Sequence, residues 1–181
     1  TYAIRYTTTD VTLTRVGAPH ITSANSTTFF VGVSGTTFNV TASGVPTFAI
    51  TAGTLPTGVT LASSALLSGP PAAGTAGDYA VTITATNAVG TDTQAFTLHV
   101  FGFTSPNQAI FNVGSNGSFT VTTAGSSNVT YHNNNAVDVL PSGVTFSNGG
   151  LFSGTPDPVF EGNSSVPGFG DTRAATINTP L

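Results

Sequence analysis

Three histidines, His20, His99 and His132, are the side chains here whose ordinary pKa suits proton transfer near neutral pH. Seven acids accompany them: Asp10, Asp78, Asp92, Asp138, Asp157, Glu161 and Asp171. Such residues do chemistry only in particular company. A metal would need a spacing such as HxxxH, which none of the three histidines shows. Calcium would need several clustered oxygens, and no DxD run exists; Asp157 and Glu161 come nearest to a carboxylate pair or a Ca²⁺ site. A glycosidase pair would also need a sugar cleft and a defined separation, of which the sequence carries no sign. His99 lies between Leu98 and Val100, so alternation along a strand turns it outward. His20 sits in a lead-in segment, and His132 precedes the polar tract Asn133–Asn135. There is no G-x-S-x-G, P-loop or dinucleotide fingerprint. The expectation is a non-enzymatic chain with no catalytic, cofactor-binding or metal-ligating residues, and no cofactor.

Two patterns mislead. LPTG (55–58) and LPSG (140–143) look like sorting signals, but such a signal needs a residue between Pro and Thr-Gly and a hydrophobic tail behind it. Asn25, Asn39, Asn116, Asn128 and Asn163 head N-x-[ST] triplets, a surface pattern that a Thr- and Asn-rich composition generates by chance.

Composition removes further classes. Of 181 residues, 39% are hydrophobic and only 6% charged, so solubility rests on Thr, Ser, Asn and Gly. Arg5, Arg15 and Arg173 are the whole basic inventory. With a net charge of −4 no patch can neutralise phosphates, which excludes nucleic acid and polybasic membrane attachment. The absence of lysine also excludes Lys–Asn isopeptide crosslinks. The absence of cysteine excludes disulfides and thiol chemistry. No run approaches the ~18 apolar residues of a membrane-spanning helix. The chain opens on Thr1 with no signal peptide, so a processed chain, or a segment of a larger one, is expected.

The elements that would position any site are short strands, and they occur twice. "TFFVGVSGTTFNVTASG" (28–44) matches "AIFNVGSNGSFTVTTAG" (109–125), setting Phe30 against Phe111, Phe38 against Phe119, Val40 against Val121 and Gly44 against Gly125, 81 residues apart. "LPTGVTLASSALLSGPP" (55–71) matches "LPSGVTFSNGGLFSGTP" (140–156) at 85, leaving four extra residues near Asn133–Asn135. In both, proline fixes φ for a turn, glycine closes it, and "VTL" or "VTF" and "LLSG" or "LFSG" follow as strands. "YAVTITATN" and "AFTLHV" alternate with period two, while 21 Gly and 11 Pro break the chain into short pieces. An all-β chain built of β-sandwiches is expected.

Leu55-Pro56, Gly58-Val59-Thr60, Leu67-Ser68-Gly69, Tyr79, Ala85-Thr86-Asn87 and Phe96-Thr97-Leu98 carry a resemblance. Their pattern resembles the immunoglobulin-like repeats, related to cadherin-like domains, that occur in tandem in very large bacterial surface and secreted proteins. The resemblance implies two Greek-key β-sandwiches, residues 18–100 and 101–181, preceded by a hairpin at 1–17. It also implies an extracellular or cell-surface location and a spacer, stalk or adhesive role.

The two ends depart from the pattern. After Pro156 the second copy runs into "DPVFEGNSSVPGFGD", and "AATINT" (174–179) is a weak echo of "AVTITA" (80–85), so its last strand is expected to be missing. Residues 1–16 read as a spare hairpin, with Tyr2, Ile4 and Tyr6 on one face, a turn near Thr8–Asp10, then Val11 and Leu13. The ends are read either as cut edges of a longer protein or as exchange partners. In the second case the hairpin of one copy completes the open second domain of another, with Ala175 and Ile177 on the receiving side. Four apolar side chains at ~1.5–3 kcal/mol each would contribute roughly 6–12 kcal/mol. Neighbouring copies or adjacent repeats are the expected partners. A ligand-binding or accessory module of a large secreted enzyme or adhesin is the alternative. The absence of Trp, with four Tyr, disfavours a carbohydrate platform.

Overall fold

The computed structural model describes residues 2–7, 11–126, 128–132, 140–158 and 174–178, and every described element is a β-strand. The chain divides into two compact units, the first Thr1–Gly102 with Ala124–Ser126, the second Phe103–Thr123 with Ser127–Leu181.

The first unit is a two-layer β-sandwich. One layer carries Thr47–Ala52, Gly77–Thr86 and Thr91–Phe103 as antiparallel neighbours, with Ser26–Phe30 lying parallel to the last of them. The other joins Thr37–Asn39, Leu66–Ser68 and Thr60–Leu61. The period-two alternation works as expected. Val81, Ile83 and Ala85 face inward from one strand, Phe96, Leu98 and Val100 from the next, and all six are buried. They meet Leu67 and Val59 from the opposite layer, and Phe38 packs on Phe96 at 5.2 Å between centroids. Each such buried side chain contributes about 1.5–3 kcal/mol.

The duplicated motif has a spatial meaning. Gly58 and Gly69 lie against each other with φ of +95° and +118°. A Cβ on Gly58 would stand 2.1 Å from the Pro70 carbonyl oxygen, and one on Gly69 would stand 2.0 Å from that of Gly58. The second unit repeats this geometry at Gly143 and Gly154, with corresponding distances of 2.0 Å to Thr155 and 1.9 Å to Gly143. The motif's two glycines let its two turns touch through bare backbone.

Its hydrogen bonds repeat as well. Val59 N–H to Pro56 O (3.1 Å) becomes Val144 N–H to Pro141 O (3.0 Å), and Ala72 N–H to Thr57 O (2.9 Å) becomes Asp157 N–H to Ser142 O (3.0 Å). Val40 N–H to Ala65 O (3.0 Å) becomes Val121 N–H to Gly150 O (2.8 Å). In the second unit Gly117–Thr120, Leu151–Gly154 and Val144–Phe146 form one sheet, with Phe111, Val121, Val144 and Phe152 as its core.

Two expectations are corrected. The residue matching Phe111 is Phe29, not Phe30. Phe29 and Phe111 are both fully buried, whereas Phe30 is 46% exposed. The turn that follows confirms the phase, since Gly32 N–H donates to Pro71 O and Gly114 N–H to Pro156 O. The copies are therefore 82 apart before this turn and 81 after it, because the second turn is one residue shorter. Nor does Ala174–Asn178 occupy the position of residues 80–85. It pairs antiparallel with Gln108–Asn112, the strand corresponding to Ser26–Phe30, whose sheet neighbour in the first unit is Thr97–Phe101 running parallel.

Candidate assembly surfaces

The residues singled out for acid–base or metal chemistry do not converge. His20 Nδ1 lies 3.3 Å from Asp92 Oδ2, and His99 Nδ1 lies 2.8 Å from Asp78 Oδ1 on the adjacent strand. His99 faces outward, as alternation predicted, with its side chain 36% exposed. His132 is exposed. Asp157 accepts the Ser142 hydroxyl at 2.6 Å, closing the motif turn; Glu161 and the tract Asn133–Asn135 lie outside the described residues. Among the described residues no three of His, Cys, Asp or Glu gather as a metal would require. Asn25, Asn39, Asn116 and Asn128 are exposed, and Asn163 is outside the described set.

Asp92 has a structural task. Its Oδ2 accepts the Ile21 N–H at 2.8 Å, which ties strand His20–Ile21 to the sheet. That bond holds its carboxyl below the usual value of 3.8, helped by the Thr93 N–H and His20 and opposed by desolvation. A groove of about 330 Å³ on the outer side of the sheet is floored by Ala80, Thr82, Ala95 and Thr97 and rimmed by Asn25 and Gly53. None of the residues that line it carries a titratable side chain.

The strand surfaces expected to mediate assembly are more informative. Tyr2–Tyr6 and Val11–Arg15 form their own antiparallel ribbon, with Tyr2 opposite Arg15, Ile4 opposite Leu13 and Tyr6 opposite Val11. Ile4 is 54% exposed. The expected turn at Thr8–Asp10 falls outside the described residues. In the second unit Ile177 stands opposite buried Ala109, and Ala175 opposite buried Phe111.

Sequence reading missed the residues that organise the lead-in segment. Asn87 donates to the Gly17 and Gly44 carbonyls and accepts the Val89 and Gly90 N–H groups. Gln94 donates to Ser23 O. The tripeptide Ala85-Thr86-Asn87 was visible as part of a pattern, but its use was not, since the partners lie far away in sequence.

Residues 3–101, more than half of the chain, match the family described as "Putative Ig domain" (He_PIG). The chain belongs to this family. Its Ig frame accounts for the two facing layers and for the parallel closure of Ser26–Phe30 on the last strand. No curated protein matches the sequence. Among solved structures, similar chains include a "putative alpha-galactosidase" from Bacteroides fragilis, 25% identical over 48% of this chain and 18% of that one, with a TM-score of 0.41. Extracellular domains 3–5 of Drosophila OTK are 14% identical over 93% and 63% of the two chains, with a TM-score of 0.40. An endo-fucoidan hydrolase of glycoside hydrolase family 107 is 12% identical over 97% and 32%, with a TM-score of 0.32. The chain spans less than two thirds of each. At such scores these likenesses say nothing about what the Ig chain does.

Proposed function

We propose that this Ig chain is a non-enzymatic, extracellular structural module of the stalk or fibre kind, whose partners are adjacent repeats or neighbouring copies. One observation carries the reading: what the two units share is a frame of paired glycines, turn hydrogen bonds and core plugs, with no reactive group among them. A duplicated frame multiplies length and stiffness; duplicated chemistry would repeat a site.

Assembly proceeds head to tail, with the ribbon at residues 1–16 of one copy adding to the second unit of the next. The pairing of Ile4 with Leu13 and of Tyr6 with Val11 in this ribbon supports this, as does the exposure of Ile4. Light scattering and electron microscopy of the full chain test it against the double variant Ile4→Asp/Leu13→Asp. Concentration-dependent oligomers or filaments are expected for the parent and not for the variant. A chain that is monomeric at every concentration removes strand donation. A specific, saturable hit on a glycan array would overturn the structural reading in favour of a ligand-binding module.

A further inference from the structure

The closing hairpin of the first unit reaches sideways to the lead-in segment at four heights. Asn87 Nδ2 donates to Gly17 O at 2.8 Å, Asp92 Oδ2 accepts Ile21 N–H at 2.8 Å, and Gln94 Nε2 donates to Ser23 O at 3.0 Å. One step further on, Thr97 N–H donates to Asn25 O at 2.9 Å. On the lead-in side the partners in these four bonds are main-chain atoms, and His20 adds a side-chain contact, its Nδ1 3.3 Å from Asp92 Oδ2. Residues 17–25 are thus held along the closing hairpin chiefly through their backbone.

Asn87 is the outermost of the four and the most constrained. Its Oδ1 accepts the N–H groups of Val89 and Gly90 at 2.8 and 3.1 Å, which orients the amide. Its Nδ2 then spans Gly17 O and, at 2.7 Å, Gly44 O. Gly44, at φ +78°, leaves room for this clasp: a Cβ there would stand 2.8 Å from Gly17 O and 2.9 Å from Asn87 Nδ2.

We infer that Asn87 is a joint residue, seizing the chain as it arrives from strand Val11–Arg15 and placing the pivot between the ribbon and the sandwich at Val16–Gly17. The contacts stand by themselves. Their use, setting the direction in which one module follows another, rests on the spacer reading above. Because the grip is on backbone, it would hold any preceding segment whose chain passes the same point.

The three arginines make the test internal to the full chain, since trypsin can cut only after Arg5, Arg15 and Arg173. Asn87→Asp keeps the acceptor for Val89 and Gly90 but loses both donor bonds. Cleavage after Arg15 should rise about tenfold or more, since two such bonds hold the segment closed. Cleavage after Arg173 and protection of the Thr97 amide against hydrogen exchange should stay as in the parent. Gln94→Leu, which releases Ser23 only, should raise Arg15 cleavage less. An unchanged rate at Arg15 overturns the inference. So does a parallel rise at Arg15 and Arg173 with loss of Thr97 protection, which would make Asn87 a folding residue only. A purely monomeric parent would leave this result standing while removing strand donation.

Discussion

At the scale of single residues, the glycines of the motif differ sharply from glycines that merely turn. Gly35 has φ +84° with nothing near its missing Cβ, so Gly35→Ala should cost about 1 kcal/mol in urea unfolding. Gly58→Ala adds a collision with the Pro70 carbonyl to the same strain and should cost about 2–4 kcal/mol. Asp92 gives a pH signature. Its folded pKa is depressed, chiefly by the Ile21 N–H, so protons bind the unfolded chain more readily. Its contribution is complete above the ordinary carboxylate range and fades as pH falls below about 4. Urea midpoints measured against pH should show this loss in the parent, with a smaller acid-side slope in Asp92→Asn. Gly58 and Pro56 could be read in the sequence because their constraint is on their own φ. Asn87, Asp92 and Gln94 could not be, because the main-chain groups that place the lead-in segment lie some 70 residues away, and a backbone N–H or carbonyl leaves no mark in sequence.

At the scale of elements, alternation decides which phenylalanine plugs the first core. Phe29→Ala should cost about 3–5 kcal/mol. Phe30→Ala should cost under about 1.5 kcal/mol, since Phe30 is 46% exposed and its ring meets Phe101 edge-on at 5.9 Å. Thermal or urea unfolding of the two variants separates these outcomes cleanly. Two adjacent phenylalanines made the phase of this strand ambiguous to sequence matching, and a one-residue difference in the next turn hid the shift. The long strands of the closing hairpin were legible because five or more alternating positions outvote any single residue. Ala174–Asn178 was legible as a strand, but the direction in which it pairs was not. Parallel and antiparallel neighbours ask for the same alternation, and only the partner's position distinguishes them.

At the scale of the whole molecule, the two ways of closing a sheet carry a mechanical consequence. In the first unit Ser26–Phe30 and Thr97–Phe101 run in the same direction, with the unit's chain arriving at one and leaving from the other. Tension along the chain therefore slides them past each other, loading the whole row of hydrogen bonds in shear at once. In the second unit Gln108 lies beside Asn178, so the same tension meets the antiparallel pair at one end and unzips it a rung at a time. Pulled between two tethers, the chain should give way in two steps, the second unit at a lower force and the first at a distinctly higher one. Single-molecule force spectroscopy would resolve the order. A single rupture event, or the reverse order under Phe29→Ala labelling of the first unit in an otherwise unchanged chain, would assign the load differently. Under load the second unit would then act as a fuse that opens before the first unit is strained.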